Sequence, residues 1–368
     1  MRYYIIAGEA SGDLHGSNLV KALHQQDPKA LIRCWGGDKM EQAGATVVKH
    51  YRELAFMGFA EVLMNLRTIL RNLSWCKKDI LAFRPDVVIL IDYPGFNLRI
   101  AKWAKEHQLK VVYYISPQVW AWKENRVKMM KQCIDKMLVI LPFEKEYFKN
   151  RWNWEVEYVG HPLLEEIDQF LHQPPPARFS EKPIIALLPG SRKQELIQKL
   201  PVMLEVSRHF TAYQFIVAKA PGIPDEFYNS LLQGYPNVSG VSNQTYALLQ
   251  QATAALVTSG TATLETALFG IPQVVCYKGN AISYQIARRL IKIRYISLVN
   301  LISEKEVVKE LIQDQLTTDN LRAELVKLLP GAPERKHMLT AYKQLKELLA
   351  ATGGASQSAA SHVIKLIA

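Results

Sequence analysis

Short apolar runs rich in β-branched residues recur along the chain, with longer mixed stretches between them. Tyr3–Ala7, Ile32–Trp35, Val87–Ile91, Val111–Tyr114 and Met137–Leu141 form one series. Ile184–Leu188, Gln214–Val217, Ala254–Val257 and Gln273–Cys276 form a second. Runs apolar on both faces, alternating with helix-length segments, predict parallel strands covered on both sides by helices. Two such series predict an α/β chain of two Rossmann-like domains. The break between them falls at His172–Ala177, where three consecutive prolines favour stiff, extended backbone. We read domains at 1–170 and 178–340. The segment 341–368 reads as helical, interrupted at Gly353-Gly354, and folds back to complete the first domain. Whether it does so within one chain or exchanges into a second copy, making a homodimer, stays open at this level.

One stretch departs from the alternation. On a helix begun near Gly58, Phe59, Leu63, Leu66, Leu70 and Leu73 share a broad apolar face, with Arg67 and Arg71 beside it. A basic amphipathic helix of this kind can lie in an anionic lipid surface. The same pattern also fits a helix packed on a domain core.

Composition narrows the class. A chain of 368 residues with 49% hydrophobic and 21% charged residues has the apolar content of a folded protein and the length of two domains. The four cysteines lie far apart, which excludes a disulfide scaffold and a CxxC metal pair and fits a reducing cytoplasm. Met1-Arg2 runs straight into a strand pattern, predicting no signal peptide, and no window reads as a membrane span. The net charge of +11 is unevenly placed: residues 1–151 carry 24 basic and 15 acidic side chains. Nucleic acid, an anionic membrane and phosphorylated substrates are the partners such an excess admits. The scattered bases and the missing RNA-binding motif disfavour nucleic acid.

Candidate chemistry sits where open parallel sheets bind ligands, at the carboxyl ends of strands. The first strand runs into Gly8-Glu9-Ala10-Ser11-Gly12-Asp13-Leu14-His15, a glycine-containing turn opening a helix. It lacks the GxGxxG dinucleotide fingerprint. Glu9, Ser11, Gly12, Asp13 and His15 are candidate ligand contacts. The third apolar run ends in Asp92-Tyr93-Pro94-Gly95-Phe96-Asn97. Asp92 there is either a partly desolvated general base or a helix cap. Trp120 and Trp122 follow on a loop, as an aromatic surface or as core. In the second series, Gly190-Ser191-Arg192 can cradle a phosphate by backbone and guanidinium. Ser259-Gly260-Thr261-Ala262-Thr263 opens a helix whose N–H groups and hydroxyls suit a diphosphate, and Glu265, one turn in, suits ribose hydroxyls. Ordinary helix capping explains one of those hydroxyls but not the cluster. Asn300 reads as a turn residue or a polar contact.

Taken in order, AGEASGD (7–13), FMGFAEVL (56–63), IDYPGFN (91–97), YYISPQVWAW (113–122), LPFEKEYF (141–148), VGHPL (159–163), LLPGSR (187–192), SGTATLE (259–265) and YISLVNLI (295–302) resemble the lipid-A-disaccharide synthase family over nearly the whole chain. That family often carries Asp where this chain has Gly95. The resemblance implies a GT-B fold, two Rossmann-like domains facing a cleft, and transfer from UDP-2,3-diacylglucosamine to 2,3-diacylglucosamine 1-phosphate (lipid X). It implies a β(1→6) disaccharide formed with inversion, UDP as leaving group and no cofactor. UDP contacts are then expected at Gly190, Ser191, Arg192, Ser259–Thr263, Glu265 and Asn300. The acceptor is expected at Glu9, Ser11, Gly12, Asp13, His15 and Asn97, with Asp92 as base and Arg192 beside the leaving group. No Asp-x-Asp pair occurs, so no metal is expected. Phe59, Leu63, Leu66, Leu70 and Leu73 become expected contacts to the inner face of the cytoplasmic membrane. A cell-wall glycosyltransferase or a UDP-GlcNAc 2-epimerase of the same fold is the competing reading.

Overall fold

The computed structural model describes residues 1–53, 66–280, 284, 294–350 and 354–368. Among these, thirteen parallel strands fall into two sheets. The first sheet orders as β3-β2-β1-β4-β5-β6-β7. Its strands are β1 (Arg2–Ala7), β2 (Leu31–Gly36), β3 (Thr46–His50), β4 (Val87–Ile91), β5 (Lys110–Tyr114), β6 (Lys136–Val139) and β7 (Glu157–Tyr158). The second orders as β10-β9-β8-β11-β12-β13. Its strands are β8 (Ile184–Leu188), β9 (Gln214–Lys219), β10 (Val238–Ser242), β11 (Ala252–Thr258), β12 (Gln273–Tyr277) and β13 (Lys309–Ile312). Every strand in the two predicted series is present within two residues. The four that the pattern missed, β3, β7, β10 and β13, are the four sheet edges. An edge strand has one neighbour and a wetter face, so its side chains lose the two-sided apolar signal.

Two compact units result, Met1–Pro162 with Ala350–Ala368, and Leu163–Leu349. The helix Pro162–Leu171, read from sequence as the end of the first domain, lies in the second unit apart from its first residue, and so does the helix Pro333–Leu349. The helix Ala355–Ile367 lies in the first unit, against helix Ala10–Gln26 and strands β5 and β6. Ala359, Ala360 and Val363 are fully buried there, and Gln26 Nε2 donates to Gln357 Oε1 at 2.7 Å.

Helix Leu66–Phe83 corrects part of the membrane expectation. Phe59 and Leu63 lie outside the described residues, as does the side chain of Leu66. Leu73 is not a membrane contact: it is buried in the core with Cys76 and Ile80. Leu70, by contrast, is 57% exposed. Leu70 shares one exposed helical stripe with Arg67, Arg71, Ser74, Trp75 and Lys78, at spacings of three and four residues. No helix among the described residues is long and apolar enough to cross a membrane. All four cysteines are buried and free.

Candidate active site

In the first unit, two strand ends meet. β1 ends at Ala7, and Glu9 caps helix Ala10–Gln26 from extended backbone. Gly8 lies flat against the Tyr93 ring, and a Cβ there would fall 2.3 Å from a ring carbon. β4 ends at Ile91, and both following residues take left-handed conformations, Asp92 at φ 43° and Tyr93 at φ 48°. Such residues cost about 1–3 kcal/mol each and persist only where their surroundings over-determine them. The surroundings here do so. Asp92 N–H donates to Tyr114 O at 3.1 Å. The Asp92 carbonyl accepts from Tyr113 Oη at 2.6 Å and from Asn97 Nδ2 at 2.8 Å. Asn97 is fully buried, and its Nδ2 also lies 3.1 Å from Ile91 O.

The Asp92 side chain is half-buried. Burial, reinforced by the nearby Glu9 charge, pushes its carboxyl up to about 6. A second carboxyl, Glu144, is 1% exposed. It accepts from Leu141 N–H at 3.0 Å and from Trp120 Nε1 at 3.2 Å. Burial pushes it up to about 8, with the Asp92 charge adding to the rise. His15 is lowered to about 4 by burial, and its Nδ1 finds no hydrogen-bond partner among the described residues. His161 is lowered to about 3 by burial and by His15. The first unit therefore gathers carboxyls that hold protons more tightly than usual and imidazoles that stay neutral. Such a site can accept a proton near neutrality without holding permanent charge.

Several expected acceptor contacts have internal roles instead. Asp13 is buried, and its carboxylate accepts from the backbone N–H groups of Gly37, Lys39 and Met40 at 2.7, 3.2 and 3.1 Å. It caps the helix Asp38–Gln42. Gly12 is buried where its helix passes Ala7, and a Cβ would meet the Ala7 methyl at 3.1 Å. Asn97 pins the Asp92 turn from beneath. Glu9 and Ser11 remain exposed at the helix start. Of the two tryptophans, Trp120 turns inward to Glu144 and packs edge-on against Phe143, while Trp122 is 51% exposed. Sequence reasoning missed Glu144, Tyr113 and His161. Pro142 with Glu144 two residues later reads only as a helix start.

The second unit also places two loops at strand ends. After β8, Gly190 takes φ 113°, and Ser191 and Arg192 are exposed ahead of helix Lys193–Ser207. Behind the loop, Lys199 is 2% exposed, and its Nζ lies 3.9 Å from Glu195 Oε2. After β11, Gly260 caps helix Thr261–Leu268, with Thr261 exposed. Ser259 Oγ donates to Ile296 O at 2.9 Å, and the buried Thr263 Oγ1 donates to Gly260 O at 2.8 Å. Both hydroxyl protons are thus spent on backbone carbonyls, one in the segment at Ile296 and one within the loop. That leaves the Thr261 hydroxyl and the first N–H groups of the helix, that of Ala262 among them, as its outward donors. Glu265 is half-buried, and burial together with the Glu166 charge pushes it up to about 7.

Asn300 is corrected. Its Nδ2 donates to Val308 O and Glu310 Oε1, both at 2.9 Å. Its Oδ1 accepts from Val307 N–H at 2.7 Å and Val308 N–H at 2.9 Å. All four hydrogen-bonding positions of the amide are occupied, so the fully buried side chain serves the fold and has none left for a nucleotide. No cluster of three or more His, Cys, Asp or Glu side chains able to hold a metal occurs among the described residues. A cavity of about 690 Å³, lined by Phe269, Pro333, Arg335, Tyr342 and Lys343, opens at the far end of helix Thr261–Leu268 and shares no residue with these loops.

The comparisons with known proteins decide among enzymes of this fold. Residues 3–364 match the model of a family described as lipid-A-disaccharide synthetase. The chain belongs to the lipid-A-disaccharide synthetase family. It is 39% identical to the lipid-A-disaccharide synthase of Syntrophus aciditrophicus over 365 residues, covering 96% of this chain and 95% of that relative. It is 36% identical to that of Geobacter sulfurreducens, covering 100% and 97%. Among solved structures, the glycosyltransferase of kitacinnamycin aligns with TM-score 0.70 at 15% identity, over 99% of this chain and 98% of that one. UDP-GlcNAc 2-epimerase from Neisseria meningitidis aligns with TM-score 0.65 at 12% identity, over 100% and 99%. The fold is therefore GT-B, and at such identities these structures speak to fold alone. Membership in the family makes the chain a glycosyltransferase that uses a UDP-sugar donor and a lipid acceptor.

Proposed function

We propose that this glycosyltransferase joins UDP-2,3-diacylglucosamine to 2,3-diacylglucosamine 1-phosphate, forming a β(1→6) disaccharide with inversion and releasing UDP. Asp92 carries the reading. It is a half-buried carboxyl at the mouth of a central strand, held by two side-chain donors to its own carbonyl, with its proton affinity raised to about 6. In a single displacement the acceptor 6-hydroxyl attacks the anomeric carbon, Asp92 takes the hydroxyl proton, and the α-linked UDP leaves from the opposite face. A base with this affinity is ionised at neutral pH yet strong enough to accept the proton. Arg192, Gly190, Ser191 and the helix start at Gly260–Ala262 stabilise the charge that develops on UDP. Glu265 accepts from the ribose hydroxyls. Glu9 and His15 face the acceptor.

The test is product analysis. Incubation with both lipid substrates yields a tetra-acyl disaccharide 1-phosphate by mass spectrometry, together with UDP; release of UDP without that product overturns the assignment.

Both substrates carry acyl chains, so the enzyme works at the inner face of the cytoplasmic membrane as a peripheral protein. The stripe of Leu70 and Trp75 beside Arg67, Arg71 and Lys78 supports this. Replacing Leu70 and Trp75 with serine releases the protein from anionic vesicles in a flotation assay; unchanged flotation counts against this surface.

A further inference from the structure

Tyr246 and Glu166 lie beside Glu265 and have no part in the chemistry above. Tyr246 sits on helix Thr245–Gln251, with its hydroxyl 3.4 Å from Glu265 Oε1. That is long for a hydrogen bond, as pre-assembled site contacts often are before a ligand arrives. The phenol ring is boxed. Phe170 meets it edge-on at 5.5 Å between centroids, and Phe269 tilts against it at 5.1 Å. Phe170 and Glu166 stand four residues apart on helix Pro162–Leu171, hence on one face. The ring that fixes the phenol and the carboxylate that competes for its proton come from the same helix. Both carboxylates act on the one hydroxyl.

A phenol has one proton and serves one carboxylate at a time. If it serves Glu265, it fixes one oxygen of that group and leaves the other for an incoming pair of donors. A ribose cis-diol is such a pair. Glu166 draws the same proton away and raises the cost of full charge on Glu265.

We infer that Tyr246 positions Glu265 for the ribose hydroxyls of the bound nucleotide, and that Glu166 opposes it by competing for the same phenol. This rests on the reading of Glu265 as the ribose ligand. Both are positioning residues, acting through Glu265.

The test is calorimetric titration of the full chain with UDP and with 2′,3′-dideoxy-UDP, which lacks both hydroxyls. Wild type binds UDP the more tightly, and Glu265→Gln removes that preference. Tyr246→Phe weakens UDP by about tenfold and leaves dideoxy-UDP unchanged. Glu166→Gln, whose neutral amide oxygen competes less strongly for the phenol than a carboxylate does, tightens UDP two- to threefold, again without effect on dideoxy-UDP. If wild type binds the two nucleotides equally, the ribose reading of Glu265 falls. If wild type discriminates but Tyr246→Phe weakens both equally, or Glu166→Gln weakens UDP, the positioning inference is overturned while the ribose reading stands.

Discussion

The strand-end loops of the first unit and those of the second solve opposite problems with the same architecture. Around Asp92 the chain buries carboxyls, strains two consecutive backbone residues and pins them from behind with Asn97 and Tyr113. Around Gly190 and Gly260 it leaves Ser191, Arg192 and Thr261 exposed at helix starts. A proton acceptor needs a raised affinity and one fixed direction, and only burial with rigid support supplies both. A leaving diphosphate needs many donors and a cation that meet it from outside, and a helix start supplies the donors without strain. Both loops follow a β-strand and open a helix, so strand position alone distinguishes neither role.

The sharpest way to break this contrast is Asp92→Asn. It lowers kcat by about 10²–10⁴ while calorimetric UDP affinity stays at the wild-type value; a loss of only a few-fold at saturating substrate ends the role of Asp92 as base. Arg192→Ala, on the other side, costs about 10² in kcat/KM, with much of it in the donor KM and little in the acceptor KM, and Arg192→Lys recovers only part because the fork is lost. Removing a support gives less. Asn97→Ala leaves buried carbonyls short of a donor, costs roughly 1–3 kcal/mol in denaturant unfolding and lowers kcat about tenfold with donor KM unchanged.

The smallest effect is a shift in pH. With Asp92 as the proposed base, kcat falls on the acid side with a midpoint near the raised value of about 6. The Glu9 charge helps raise it, so Glu9→Gln moves that midpoint to lower pH. A midpoint that stays put shows that burial alone sets it.

Strand cores and strand-end glycines were legible because burial on two faces and turn geometry leave marks in a single stretch of sequence. Edge strands left none. Polar residues at the loops were legible as important but not in their direction. Asp13 was expected as a ligand contact because short polar side chains crowd strand ends, and Asn300 because the family resemblance implied it. Which backbone N–H groups lie within reach depends on how other segments fold back, Gly37–Met40 from far along the chain for Asp13 and the turn to Val307–Val308 for Asn300. Glu144 was overlooked for the same reason: its helix-start pattern is local, whereas its closeness to Trp120 and Asp92 is tertiary. On helix Leu66–Phe83 the amphipathic pattern was plain, but Leu70 and Leu73 differ in exposure because only packing fixes the helix rotation.

Helix Ala355–Ile367 completes the core of a unit whose other residues end at Pro162. During synthesis, therefore, the first sheet leaves the ribosome with one flank of its core uncovered, and the whole second unit is made before the covering helix exists. At about 5–20 residues per second this interval lasts about 10–40 s. The order of completion is then the reverse of the order of translation: the second unit finishes first, and the unit carrying Asp92 waits, open to chaperones, for the helix that covers it.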